Sequence, residues 1–338
     1  MKAAVVEQAR HPIVIKDVPD PSVGDREVLV RVRACGVCHS DLHIADGMMA
    51  ARGVDPFPVI LGHEVTGVVE EVGSEVRHLE RGARVGVYWI YGCGACRYCL
   101  VGNEIACASE PRAVGGVTQP GGYAEYIKLP ADHAMPLPEG LDFVSSAPFF
   151  CAGLTMYAGF KNAGLQPGQR AAVLGIGGLG HLAIPIARAM GAEVIALTST
   201  DDKVELARQL GAHHAIVGTA DLGQKLQEAG GADVVLSTTL EPGAIGGVIP
   251  GISPQGALVL TGLGINPLPL VPALLVSGQL RIIGSAVGSR RDMQELLQLA
   301  VQHNIRPMTE TYPLEEANAV HDRLRANQVR FRAVLTPD

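Results

Sequence analysis

From residue 170 onward the chain keeps one rhythm: a short apolar run, a break, a helical stretch, then another apolar run. The runs fall at 170–174, 193–197, 214–217, 233–236, 257–260 and 281–283, with helices expected at 179–190 and 202–210. Each run is apolar on both faces, which suits a strand covered by helices on either side. Such alternation, sustained over about 120 residues, implies an α/β doubly wound parallel sheet.

The first turn of that sheet carries chemistry. Val173-Leu174-Gly175-Ile176-Gly177-Gly178-Leu179-Gly180 reads G-x-G-x-x-G, after a strand and opening a helix. Alone the pattern is weak, but in this context it is a dinucleotide fingerprint. Gly175 permits the tight turn, Gly177 the approach of a pyrophosphate to the backbone, and Gly180 close helix–strand packing. Free N–H groups around Gly178, Leu179 and Gly180 would meet the phosphates. The second strand then ends in Thr198-Ser199-Thr200, where an acid would accept from the ribose of NAD. No carboxylate there repels a 2′-phosphate, and Lys203 or Arg208 could supply positive charge. The reading leans to NADP and keeps NAD open. Asp201 and Asp202 read as helix-start residues.

The first 150 residues differ. Short apolar runs at 28–32, 65–69 and 83–87 alternate with Gly, Pro and Asp turns, and helical periodicity is scarce, so this half is mostly β. An amphipathic helix at 292–301 and a strand at 331–335 close the chain and should return to the first half. The expected domains are therefore 1–152, 153–288 and a returning segment 289–338. The chain has 338 residues, long enough for two domains.

A net charge of −7 and no Lys/Arg run argue against a nucleic-acid partner. The opening residues lack the apolar core of a signal peptide, and no uncharged apolar stretch reaches the roughly 20 residues of a membrane span. The expectation is a cytoplasmic protein with no membrane partner.

In that compartment clustered cysteines read as metal ligands before disulfides. Cys93, Cys96, Cys99 and Cys107 form C-x2-C-x2-C-x7-C in the loop 92–108. Four thiolates fill a tetrahedral zinc and leave no open position, which makes the site structural. The rivals are an iron–sulfur cluster, whose common spacing differs, and unligated or redox thiols. Cys35, Cys38 and Cys151 remain, and spacing alone does not show whether distant residues meet. Cys35 reads as a buried strand thiol.

Five motifs stand in one order: Gly36-Val37-Cys38-His39-Ser40-Asp41, Gly62-His63-Glu64, the four-cysteine loop, Cys151-Ala152-Gly153, and the glycine loop. On these the chain resembles, over essentially its whole length, the zinc-containing alcohol dehydrogenases of the medium-chain dehydrogenase/reductase family. The resemblance implies a GroES-like catalytic domain before the Rossmann domain. It implies a catalytic zinc on Cys38, His63 and Cys151, with Glu64 as a transient ligand or a hydrogen-bonding neighbour. Cys₂His with an open fourth position is the ligand set known for alcohol dehydrogenase. Asp41 would bond the far nitrogen of His63, or merely cap the following turn.

Further roles follow from the same resemblance. A Lewis-acidic zinc lowers the pKa of a bound hydroxyl, by analogy with bound water at about 7, and hydride passes to the nicotinamide. Ser40 would take the alcohol's proton and His43 deliver it outward. His39 and Arg290 match pyrophosphate contacts, and Thr155 should lie near the nicotinamide. Met49 and Trp89 match substrate-pocket positions, although a lone tryptophan is ordinarily core. The implied activity is reversible oxidation of primary or secondary alcohols to aldehydes or ketones, by a homotetramer or a homodimer with two zinc ions per chain. The alternatives are an NADPH-dependent cinnamyl-type aldehyde reductase and, remotely, a non-catalytic zinc ribbon.

Overall fold

The computed structural model describes residues 1–49, 54–109, 112–219 and 221–337. The chain divides into two compact units. One comprises Met1–Cys151, Ser289–Val301 and Arg306–Asp338, the other Ala152–Gly288 and Gln302–Ile305.

In the second unit six parallel strands lie in the order His214–Val217, Glu193–Thr198, Arg170–Leu174, Ala232–Ser237, Ile252–Leu260 and Arg281–Gly284. The strand order reverses direction between Arg170–Leu174 and Ala232–Ser237, the switch point of a doubly wound sheet. Central residues such as Ala172, Val173, Val194, Ile195 and Val235 are wholly buried, as strands covered on both faces must be. Helices Ala152–Ala163 and Gly180–Ala189 pack on this sheet.

The turn after Arg170–Leu174 is tightly anchored. Gly175 has φ +94°, which a side chain would strain. Gly175 N–H donates to Leu197 O at 2.9 Å, and Thr238 Oγ1 donates to Leu174 O at 3.0 Å. A Cβ on Gly180 would stand 1.9 Å from Gly175 O, so only glycine lets the helix start this close to the turn.

The first unit is built on a largely antiparallel sheet. Its main path runs Ala134–Pro136, Arg84–Val87, Glu64–Val72, Glu27–Val37, Arg332–Thr336 and Thr309–Pro313, and Tyr126–Pro130 also pairs with Glu27–Val37. The last pair on the path is parallel. A smaller sheet joins Ile13–Asp17, Lys2–Val6 and Val59–Ile60. The core gathers Val30, Val32, Leu61, Val65, Val85, Tyr123, Ile127 and Leu335 around the sheets. Helices Arg290–Gln302 and Ala317–Arg325 each bury one stripe, Met293, Leu296, Leu297 and Ala300 in one case and Val320, His321 and Leu324 in the other. Among the described residues no single helix is long and apolar enough to cross a membrane.

Replacing Gly180 by Ala sets a methyl group against a backbone oxygen that has no room to retreat. The expected outcome is a loss of about 1–3 kcal/mol, the usual cost of overpacking, read as a lower thermal midpoint.

Candidate active site

Pairing of Glu27–Val37 with Glu64–Val72 assembles most of the site. The register sets Gly36 opposite Glu64, so Cys38 and His63 leave neighbouring strand ends on the same side. Gly36 is obligatory there: a Cβ would lie 2.0 Å from Glu64 Oε2. Cys38 is the N-cap of helix His39–Ala45. Cys151 follows the turn Ala147–Phe150, where the Phe150 ring lies over Gly86 so closely that a Cβ on Gly86 would stand 1.8 Å from it. Trp89 Nε1 donates to Phe150 O at 3.0 Å, which fixes the peptide leading into Cys151.

The ligand atoms of Cys38, His63, Glu64 and Cys151 all lie within 4.8 Å of one another. His63 is buried, with Nδ1 3.0 Å from Asp41 Oδ1 and Nε2 without a hydrogen-bond partner. A buried imidazole nitrogen left bare would be costly unless something else filled its lone pair. Two thiols and that lone pair are a zinc donor set, so the residues fit the metal. The hydrogen bond between the two thiols pulls Cys38 well below the usual thiol range and pushes Cys151 up.

Asp41 accepts hydrogen bonds on both of its oxygens. Oδ1 accepts from His63 Nδ1 and, at 3.2 Å, from Gly62 N–H. Oδ2 accepts from Cys38 N–H at 2.9 Å, closing the first turn of the helix. Glu64 Oε1 accepts from Arg332 Nη2 in an ion pair with both side chains buried, while Oε2 has no partner. Burial pushes the Glu64 carboxyl up to about 7, against the pull of Arg332. Sequence reasoning missed Arg332. The available signal was a charged residue inside an apolar strand, since a buried cation demands a partner.

Ser40 and His43 lie three residues apart on helix His39–Ala45, hence on one face, and both are half-buried. His39 is exposed at the start of that helix. Trp89 is half-buried with its ring centroid 4.8 Å from that of His63, so the indole borders the metal pocket. Met49 packs against the core of the first unit. Cys35 is fully buried and stands outside both potential metal clusters.

Cys93, Cys96, Cys99 and Cys107 form the other cluster. Sulfur–sulfur distances of 3.6 Å (Cys96–Cys99) and 4.0 Å (Cys93–Cys99 and Cys96–Cys107) bracket the edge of a tetrahedron with Zn–S of 2.3 Å, about 3.8 Å. They are far too long for disulfides. Cys93 Sγ and Cys107 Sγ also accept backbone N–H donors at 3.4 Å, as thiolates do. Glu104, buried in this lobe, is held by Arg290 through Nε at 2.8 Å and Nη2 at 2.7 Å, and Arg290 Nη1 donates to Asp132 O. Arg290, expected at the pyrophosphate, spans the Glu104 carboxylate and the Asp132 carbonyl at the start of helix Arg290–Gln302.

In the second unit an added Cβ at Gly177 would meet nothing within 4 Å, so the backbone there is open to a ligand, as the fingerprint requires. Thr198 is buried, and its hydroxyl bonds to Thr200 O (3.2 Å) and N–H (3.3 Å), closing the strand end on itself. Ser199 and Thr200 are exposed and Lys203 is half-buried. Asp201–Lys203 forms a short 3-10 turn before helix Val204–Gln209. Thr155 is buried in helix Ala152–Ala163.

Comparison with known proteins agrees with this architecture. Residues 24–139 match the alcohol dehydrogenase GroES-like domain and residues 178–302 the zinc-binding dehydrogenase domain. An alcohol dehydrogenase of Geobacillus stearothermophilus is 43% identical over 341 residues, covering 100% of each chain. The crystal structure of an alcohol dehydrogenase from the hyperthermophilic archaeon Aeropyrum pernix superposes with a TM-score of 0.90 at 32% identity and covers 100% of each chain. Acetophenone reductase from Geotrichum candidum in complex with NAD gives 0.87 at 30% identity, covering 99% of this chain and 96% of that one. The chain belongs to the zinc-binding alcohol dehydrogenases of the medium-chain dehydrogenase/reductase family.

Replacing Arg332 by Met strands the Glu64 carboxylate in a dry site. The variant should lose about 3–5 kcal/mol of stability, measured by denaturant unfolding. Adding Glu64→Gln to it should recover part of that loss.

Proposed function

We propose that this enzyme oxidises simple primary or secondary alcohols reversibly to aldehydes or ketones, with Cys38, His63 and Cys151 holding a catalytic zinc and NAD(P) accepting the hydride. The observation that carries the reading is the convergence of those three donors, from three separate segments, around a buried imidazole nitrogen that nothing else occupies. When bound, the zinc supplies Lewis acidity toward the substrate oxygen.

The chain's own residues have distinct tasks. Asp41 fixes the His63 tautomer, so that Nδ1 carries the proton and Nε2 presents its lone pair. Glu64 keeps one carboxylate oxygen on Arg332 and leaves the other beside the ligand atoms, where it can serve as an alternative donor. Trp89 covers His63, excludes water from that side and narrows the pocket toward slender substrates. Ser40 Oγ would receive the substrate proton and His43, on the same helical face, would pass it outward, a shared orientation that favours a relay. Gly175, Gly177 and Gly180 form the turn on which the dinucleotide phosphates would rest. The strand end at Thr198 carries no carboxylate, and Ser199, Thr200 and Lys203 would face the adenosine ribose, so the cofactor site admits a 2′-phosphate.

Cys93, Cys96, Cys99 and Cys107 would hold a second, structural zinc, giving two per chain. Seven free cysteines suit the reducing cytoplasm. Among the described residues nothing pairs with the outer edge of strand Arg281–Gly284, and Val271 and Val276 close by in sequence are exposed. An open apolar edge of this kind favours self-association, which supports a homotetramer, with a homodimer as the smaller assembly.

Metal analysis of purified protein should return two zinc ions per chain, falling to one in Cys38→Ser with activity abolished. A panel of alcohols, aldehydes and ketones run with both cofactors should show turnover. The ratio of kcat/KM with NADPH to that with NADH then sets the cofactor, and no turnover on any substrate by metal-replete protein refutes the assignment. Light scattering should give a mass of two or four chains.

A further inference from the structure

The hydrogen bonding around the metal pocket continues past Asp41. Tyr123 Oη lies 3.3 Å from Asp41 Oδ2 and 3.3 Å from His321 Nε2. Asp41 and Tyr123 are wholly buried and His321 is 3% exposed. The donor directions follow from the acceptors. Both Asp41 oxygens already receive N–H groups, so the carboxylate accepts and the phenol donates to it. The phenol oxygen then has only lone pairs to offer His321, whose Nε2 must carry the proton. Burial and the nearby Asp41 hold Tyr123 well above the ordinary phenol range, and burial lowers His321, so the phenol keeps its proton and the imidazole stays neutral.

The two outer members are themselves held in place. Tyr123 N–H donates to Leu61 O at 2.9 Å, and its ring lies against Gly62, where a Cβ would come within 2.4 Å of it. The rings of Tyr123 and His321 meet edge to face at 5.9 Å. His321 belongs to helix Ala317–Arg325, whose Arg325 pairs at 2.8 Å with Asp46, the C-cap of the helix that Cys38 begins.

We propose that Tyr123 and His321 are positioning residues for the metal centre: they fix the Asp41 carboxylate, and through it the ring of His63. The line runs one way, from His321 Nε2–H to Tyr123 Oη–H to Asp41, with His63 Nδ1–H on the other carboxylate oxygen. Removing the Tyr123 hydroxyl takes one of the donors from Asp41 Oδ2 and leaves it the Cys38 N–H, while removing His321 leaves the phenol oxygen without its donor and the hydroxyl less firmly aimed; either change frees the carboxylate to turn. The inference rests on the reading of His63 as a zinc ligand.

The test follows zinc release from the holoenzyme to a colorimetric chelator, together with the ligand-field absorption of the cobalt-substituted protein. Tyr123→Phe and His321→Leu should each speed loss of one zinc about 10-fold, the lower end of the effect of outer hydrogen-bond partners, and shift the cobalt bands. His321→Gln, which still offers an N–H, should restore the native rate. The double variant Tyr123→Phe/His321→Leu should be no worse than the poorer single, because both break one line. Native release rates in both single variants, additive effects, or His321→Gln behaving like His321→Leu would overturn the proposal. Should His321→Leu not fold, Tyr123→Phe, which keeps the ring, decides it alongside His321→Gln. His63→Ala separates the two levels. If it retains both zinc ions the ligand assignment fails, whereas loss of one zinc there with native release in Tyr123→Phe and His321→Leu sinks only the positioning role.

Discussion

The Asp41 carboxylate ties together two strand ends that backbone pairing has already set side by side. It receives the N–H of Cys38, the N–H of Gly62 and the ring of His63, so both ligand-bearing strand ends are tied to one pair of oxygens. In the dry interior each of these bonds is strong, and each unmet acceptor is costly. The thiol and the imidazole are thereby held at a set separation by the chain's own hydrogen bonds. Preorganisation of this kind lowers the reorganisation a metal would otherwise have to drive.

The two potential metal centres were unequally legible in the sequence. Cys93, Cys96, Cys99 and Cys107 stand within fifteen residues, so local spacing alone argued for a shared ion, and the sulfurs do converge. Cys38, His63 and Cys151 are separated by most of a domain, and only the resemblance to a family connected them. What brings Cys38 and His63 together is strand register, which a linear pattern does not encode. The same holds for Arg332 and Tyr123, which reach the pocket through pairing and loop placement rather than through any motif.

The parallel sheet was readable because its strands are buried on both faces and its glycine turn is stereotyped. Helix Ala152–Ala163 escaped because it is buried nearly all round, so no polar face marks its period. Strand Thr309–Pro313 escaped for the opposite reason: its residues are half-exposed or exposed and three are polar, Thr309, Glu310 and Thr311. Arg290 was assigned to a phosphate by resemblance, and its ion pair with the buried Glu104 was announced by no motif.

On the proposed assignment of Trp89 to the substrate cavity and Cys151 to the metal, the bond from Trp89 to the Phe150 carbonyl makes cavity and ligand parts of one mechanical element. Engineering that trims the indole to admit bulkier alcohols also cuts the strut that steadies residue 151. Such redesigns should therefore be accompanied by a replacement donor for that carbonyl, or by fresh volume elsewhere along the wall.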